Sequence, residues 1–116
     1  MSVSVSIIVP CYNVAAYLDQ CMESLTGQSM EDIEIICVND GSSDRTAEIL
    51  REWRNRDRRV RIIDQKNSGV SAARNSGMAA AAGTYIGFVD PDDMVERNMF
   101  QRLFDAAAEK EADGAG

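Results

Sequence analysis

The stretch VSIIVPCYN at residues 5–13 decides the architecture, because an apolar, β-branched run passes directly into a polar turn. Similar short runs occupy residues 33–38, 60–64 and 85–89, and each predicts a β-strand. Their apolar residues are nearly continuous, whereas a strand with one face in water alternates apolar and polar residues. We therefore expect a parallel sheet with helices on both faces.

Helical patterns lie between these runs. Apolar spacing predicts helices over residues 15–25, 71–82 and 96–112. One more helix follows Ser43 or Asp44, either of which suits its N-cap, and Gly83 is expected to end the third helix. The resulting βαβαβαβα order, joined by right-handed crossovers, predicts a single open, doubly wound α/β domain over residues 1–116.

The composition excludes several classes of function. The 116 residues include 12 Lys and Arg against 19 Asp and Glu, so the net charge of −7 argues against nucleic acid as a partner. The chain has no histidine, which removes Ser-His-Asp and Cys-His catalysis and histidine-bound zinc. Catalysis or binding must therefore rely on carboxylates, amides and hydroxyls.

The sequence also favours a cytoplasmic protein. Its three cysteines form an odd set without CxxC spacing, which predicts reduced core thiols: Cys11, Cys21 and Cys37. No apolar run approaches the ~20 residues that cross a bilayer, and no signal peptide is evident. Six arginines crowd one region and predict a solvated face, with peripheral contact to the inner face of a membrane as the alternative: Arg51, Arg54, Arg56, Arg58, Arg59 and Arg61.

Polar residues follow three of the predicted strands, at the edge where open α/β sheets bind ligands. The segment DPDD at residues 90–93 carries three carboxylates, which suit Mg²⁺ or Mn²⁺ or, alternatively, cap the next helix. Asp40 is able to accept a base N–H, and Tyr12 offers a face for stacking, although both also suit turns and packing. Neither GxGxxG nor a P-loop follows strand one, so a bound nucleotide would need a metal for its diphosphate.

Three stretches together resemble the N-terminal half of family 2 glycosyltransferases, inverting enzymes with the GT-A fold. They are VSIIVPCYNVAAYLDQCMESLTGQ (5–28), IEIICVNDGSSDRTAEIL (33–50) and NSGVSAARNSGMAAAAGTYIGFVDPDD (67–93). The resemblance covers residues 3–104. It implies strand order 3-2-1-4 and transfer of a sugar from a nucleotide-diphospho-sugar, most simply a UDP-sugar, in polysaccharide biosynthesis.

The resemblance also assigns roles to nucleotide-binding residues. Pro10, Tyr12 and Asn13 are expected to line the nucleobase pocket, and Asp40 is expected to bond the base. Three more residues are expected beside the nucleotide: Asn67, Gly69 and Arg74. In the D-x-D motif, Asp90 is expected near the ribose. Asp92 would ligate Mg²⁺ or Mn²⁺, with Asp93 in an outer position.

Members of this family continue beyond the matching region for a comparable number of residues. That second half supplies the general base and a site for a saccharide or lipid-linked saccharide acceptor. The chain is therefore expected to be truncated, to contain no catalytic base and to bind the donor without transferring sugar. Its fourth strand would be an uncovered edge, which predicts a homo-oligomer. A non-catalytic α/β interaction module and a sugar-phosphate nucleotidyltransferase are the alternatives.

Overall fold

A computed structural model describes residues 3–114, with side chains as far as residue 109. The strands are β1 (Val5–Cys11), β2 (Ile33–Asp40), β3 (Val60–Gln65) and β4 (Tyr85–Phe88). The helices are α1 (Ala15–Thr26), α2 (Thr46–Arg56), α3 (Val70–Ala80) and α4 (Met99–Gly114). The strands pair in parallel in the order β3-β2-β1-β4, which confirms the predicted fold and strand order.

Both faces of the two central strands are buried, which explains their nearly continuous apolar sequences. Ile7 and Ile35 pack in one core cluster with apolar residues of α1 and α2. Their neighbours Ile8 and Ile36 point to the other face and pack with Ala73 of α3. Helices therefore cover the sheet on both sides, as the sequence predicts.

The end of α3 differs from the prediction. Gly83 does not end this helix, because the chain already turns extended at Ala81. The Ala82 N–H donates to Glu34 Oε2 at 2.6 Å, and the Gly83 N–H donates to Ser6 Oγ at 2.8 Å. These bonds draw the chain off the helix and onto the sheet. A Cβ at Gly83 would lie 2.6 Å from the Ser6 backbone nitrogen, so this glycine permits a close approach.

The last helix starts at Met99, three residues later than the predicted residue 96. Gln28 Nε2 donates to the Glu96 carbonyl at 2.6 Å, and the Ser29 N–H donates to the Arg97 carbonyl at 2.8 Å. Both carbonyls thus bond to the segment after α1. These bonds hold the residues before Met99 against the segment that follows α1, so these residues do not extend α4.

The arginine-rich region divides into two groups. Five arginines are exposed, as predicted: Arg51, Arg54, Arg56, Arg58 and Arg61. Arg59 alone departs from the predicted solvated face, because only 27% of its side chain is exposed. Arg59 pairs with Asp57 at 2.8 Å and also donates to the Thr26 carbonyl at 2.9 Å. Arg61 pairs with the buried Glu34 at 2.7 Å. Arg59 and Arg61 therefore connect β3, and the residues just before it, to neighbouring segments of the domain.

Two further predictions bear on the environment of the protein. The three cysteines are free and buried. Within residues 3–114, no helix is long and apolar enough to cross a membrane. The cytoplasmic location and the contact with a membrane surface stay predictions.

Candidate functional site

A cavity of about 270 Å³ opens where β1 and β2 end at the carboxyl edge of the sheet. It is lined by Pro10, Cys11, Tyr12, Asp40, Asn67, Gly69, Val70 and Ala73. Five of these are predicted site residues, brought together from three separate segments. Pockets for drug-sized ligands measure roughly 300–1,000 Å³, so this smaller cavity suits part of a nucleotide, such as its base.

Asp40 is the charged group of the cavity and is only 3% exposed. Its Oδ1 accepts from Gln65 Nε2 at 2.9 Å and from the Ser68 N–H at 2.8 Å, while Oδ2 accepts from the Gly69 N–H at 3.0 Å. The Gln65 bond, together with the two backbone bonds, outweighs burial and lowers the pKa of Asp40 below its ordinary value. Asp40 is therefore a carboxylate that only accepts hydrogen bonds.

The loop after β2 packs directly on the loop after β3. Gly41 has φ of 71°, and a Cβ there would lie 2.6 Å from the Asn67 backbone nitrogen. A side chain at position 41 would therefore be strained and would also separate the two loops. This contact sets Asn67 beside Asp40 in the cavity wall.

Asn13 is not among the residues that line the cavity. It has φ of 51°, and its Oδ1 accepts from the Ser43 N–H at 2.7 Å and the Asp44 N–H at 3.3 Å. Its own N–H donates to Ser42 Oγ at 3.0 Å. In this structure the side chain joins the loops after β1 and β2, so its contribution to the cavity is indirect.

The N-cap position of α2 is Arg45, not Ser43 or Asp44 as predicted, but the Asp44 carboxylate still bonds at the N-terminus of this helix. Asp44 Oδ1 accepts from the Thr46 N–H at 2.9 Å, and Oδ2 accepts from the Ala15 N–H at 3.2 Å. One carboxylate thus serves the first residues of both α1 and α2. The loops that form the cavity therefore sit on a fixed pair of helix N-termini.

Arg74 also lies outside the lining of the cavity and connects α3 to the end of β4. Its guanidinium lies 6.0 Å from the centre of the Phe88 ring, and Nη2 lies 3.7 Å from Asp90 Oδ1. Its Nε is buried and has no hydrogen-bond partner among the described residues. Arg74 thus links α3, which contributes to the cavity, to the acidic segment after β4.

Asp90, Asp92 and Asp93 form an exposed acidic cluster, in which one carboxylate oxygen of each lies within 4.8 Å of the others. The Asp93 N–H donates to the Asp90 carbonyl at 3.0 Å, which closes a tight turn. Mg²⁺ and Mn²⁺ prefer oxygen ligands, so this donor set fits either cation. The nearby Cys21 does not suit this purpose, because burial raises the pKa of its thiol to about 12.

Sequence reasoning missed three cavity residues: Cys11, Val70 and Ala73. Each is apolar and lies at the end of β1 or in the first turns of α3, so the sequence pattern predicts that it packs in the core. It also missed Gln65 and Ser76, whose amide and hydroxyl stand behind Asp40. The pairing of β2 with β3 brings Gln65 to Asp40, and the packing of α3 against the sheet brings Ser76 to Gln65.

Comparison with known proteins places this arrangement in a family. The model of the family described as "Glycosyl transferase family 2" matches residues 6–116. The uncharacterized glycosyltransferase EpsJ of Bacillus subtilis is 54% identical over 97% of this chain and 33% of its own length. Glycosyltransferase GlyG of Streptococcus pneumoniae is 44% identical over 97% of this chain and 38% of its own. The chain thus spans about a third of the length of these relatives.

Solved structures of glycosyltransferases share this fold. The crystal structure of Staphylococcus aureus TarS 1-349 in complex with UDP-GlcNAc is 33% identical, with a TM-score of 0.80 over 90% of this chain and 30% of that one. Its complex with UDP has a TM-score of 0.79 at 31% identity, over 90% of this chain and 31% of that one. The family match covers nearly all of the sequence and coincides with the GT-A architecture. The chain belongs to glycosyl transferase family 2.

Proposed function

We propose that this chain binds the nucleotide-diphospho-sugar donor of an inverting, metal-dependent glycosyltransferase. The observation that carries the proposal is Asp40, an ionised acceptor in the wall of a base-sized cavity. Tyr12 lines the same cavity and is 52% exposed, so its ring is free to stack on a base. The interaction-module and nucleotidyltransferase alternatives gain no comparable support.

The hydrogen bonds of Asp40 favour uracil as the base. A carboxylate has about four acceptor positions, and protein donors fill three of them here. One position on Oδ2 is left for the ligand. Uracil offers one N–H between two carbonyls, whereas guanine offers adjacent N–H groups that need two acceptors. UDP and UDP-GlcNAc in the TarS complexes support the same choice.

The diphosphate is assigned to the acidic cluster. Asp92 would hold Mg²⁺ or Mn²⁺, and Asp90 and Asp93 have oxygens close enough to share it. A divalent cation held there supplies positive charge that stabilises the leaving diphosphate. Asp90, the member of the cluster that lies 3.7 Å from Arg74 Nη2, is assigned a position near the ribose.

Transfer of the sugar also needs a base that deprotonates the acceptor hydroxyl. We assign that base, and the site for a saccharide or lipid-linked saccharide, to the part of the relatives' length that this chain does not match. This chain then supplies recognition of the donor.

Calorimetric titration with UDP, with and without Mn²⁺, tests the proposal. Asp40→Asn should weaken UDP binding by about tenfold under both conditions, since it removes a charged acceptor. Asp92→Asn should weaken it only when Mn²⁺ is present. Asp64→Asn is the matched control, because Asp64 bonds to Asn39 and is not among the cavity-lining residues. UDP binding that is absent, or that is unchanged in Asp40→Asn, would overturn the proposal.

A further inference from the structure

We propose that Gln65 is a positioning residue for donor recognition: its amide holds the Asp40 carboxylate in place, and Ser76 holds the Gln65 amide. The inference rests on the proposed function, because it concerns the base-binding carboxylate. It adds a second layer of residues, on β3 and α3, to the site.

The sheet register creates the contact. Asp40 and Gln65 are direct partners at the ends of the paired strands β2 and β3. Gln65 Nε2 donates to Asp40 Oδ1 at 2.9 Å, and Ser76 Oγ lies 2.5 Å from Gln65 Oε1. The three side chains therefore form one continuous line from α3 through β3 to the cavity.

The ionisation of Asp40 fixes which group donates and which accepts in each hydrogen bond of this line. An ionised carboxylate accepts hydrogen bonds only, so the amide nitrogen of Gln65 must face it. The amide oxygen then faces Ser76, whose hydroxyl must donate. The lowered pKa of Asp40 agrees with this arrangement, since the Gln65 bond is its largest cause. Neither Gln65 nor Ser76 is free to reverse without losing a bond.

Gln65 is the side-chain donor to Asp40, while the other two donors are backbone N–H groups of one loop, at Ser68 and Gly69. The loop bonds alone hold the carboxylate from one side. The amide adds a bond from the adjacent strand, which prevents the carboxylate from following movements of the loop. Because a ligand N–H must meet the last acceptor position at a defined angle, this restraint bears directly on affinity.

The other ionisable groups near these three side chains bond to other partners or lie away from Gln65. Asp64 accepts from Asn39 at 3.0 Å and, as the neighbour of Gln65 in a strand, points to the opposite sheet face. Cys11 and Tyr12 line the cavity beyond Asp40, and Lys66 is exposed after the end of β3. A carboxylate introduced at position 65 would therefore be coupled chiefly to Asp40.

Gln65→Glu tests the inference through the pH dependence of UDP affinity. At pH 8 two facing carboxylates repel each other, and affinity should fall by about tenfold or more. Near pH 5 the pair shares a proton, the donor to Asp40 is restored, and the loss should shrink to about threefold or less. The unaltered chain should show a much flatter profile, because its Asp40 stays ionised over this range. If Gln65 only filled space, UDP affinity would depend on pH in the same way in Gln65→Glu and in the unaltered chain.

Four further variants complete the test. Gln101→Glu is the matched control, because Gln101 on α4 donates to Asp105 at 2.9 Å away from the cavity, and it should leave the profile unchanged. Gln65→Met removes the donor without adding charge and should weaken UDP binding at every pH. Ser76→Ala should weaken binding by a smaller factor, and Ser76→Thr should restore it. Circular dichroism confirms that each variant is folded.

The outcomes separate this inference from the proposed function. If the unaltered chain binds UDP and the Gln65→Glu profile runs parallel to its own, the positioning role is overturned. If the unaltered chain binds no UDP, the proposed function fails instead. The contact is then tested alone by a carbon NMR titration of the Asp40 carboxyl, whose pKa should rise in Gln65→Met; an unchanged value overturns the contact.

Discussion

Arg74 Nη2 lies 3.7 Å from Asp90 Oδ1, and this ion pair joins the helix that lines the cavity to the acidic cluster. Both side chains are about half exposed, at 43% and 59%, so water screens the pair and its strength is modest. The pair nevertheless places one positive charge beside three clustered carboxylates. A cation that binds the cluster must compete with it.

Arg74→Met should therefore tighten the binding of Mn²⁺ alone by about threefold, the factor expected for a screened surface pair. Electron paramagnetic resonance of free Mn²⁺ measures this affinity directly. Arg102→Met is the control, because Arg102 pairs at 3.5 Å with Glu96, outside the cluster. Equal Mn²⁺ affinities in Arg74→Met and the unaltered chain would show that the pair does not oppose the cation.

Glu34 makes stability dependent on pH. Although burial acts in the opposite direction, bonds from Ser6, the Ala82 N–H and Arg61 lower the pKa of Glu34 below its ordinary 4.5. The folded state thus favours ionised Glu34 more than the unfolded chain does. This stabilisation is complete above the unfolded pKa and is lost as pH falls through the folded pKa.

Glu34→Gln should lower the free energy of unfolding by about 1–3 kcal/mol at pH 7, the range for a hydrogen-bonded charge. The difference from the unaltered chain should shrink toward pH 3. Urea denaturation at several pH values measures both, with the exposed Glu48→Gln as control because Glu48 pairs with Arg45 on the surface. A difference that does not vary with pH would contradict this account of Glu34.

The sequence predicts the fold well because its main signals are local. The apolar runs at residues 5–9 and 33–38 identify buried parallel strands, and the polar residues after them mark the ligand-binding edge. Hydrogen-bond partners are harder to predict, because they depend on strand register. Nothing near Gln65 in the sequence indicates that it faces Asp40, 25 residues away. The bond that Asn13 accepts from the Ser43 N–H is equally hard to predict, because it joins two loops that are 30 residues apart in the sequence.

The edge strand β4 predicts self-association. Ile86 is 43% exposed there, and an apolar cavity of about 200 Å³ lies between β4 and α4, lined in part by Phe100 and Leu103. An uncovered apolar edge tends to pair with another strand. We expect a two-fold dimer, and light scattering over a concentration series should show its mass. Ile86→Lys should give a monomer, while a monomeric mass for the unaltered chain at high concentration would refute the expectation.

Donor binding and sugar transfer should separate in this chain. The purified 116 residues should bind UDP-sugar yet transfer no sugar to saccharide acceptors, because the general base is assigned to sequence that it does not contain. A radiolabelled donor, followed by chromatography of the products, measures transfer. Sustained acceptor-dependent transfer would contradict that assignment and would require a base among the carboxylates at the carboxyl edge.

A map of UDP binding by amide NMR on the labelled chain tests directly whether the carboxyl edge of the sheet holds the donor nucleotide. Large shifts are expected at Tyr12, Asp40 and Gly69, with little change at Glu34 on the opposite edge of the sheet. Added Mn²⁺ should broaden the signals of residues 90–93. Shifts confined to another surface, or no shifts at saturating UDP, would contradict the claim that this edge holds the donor nucleotide.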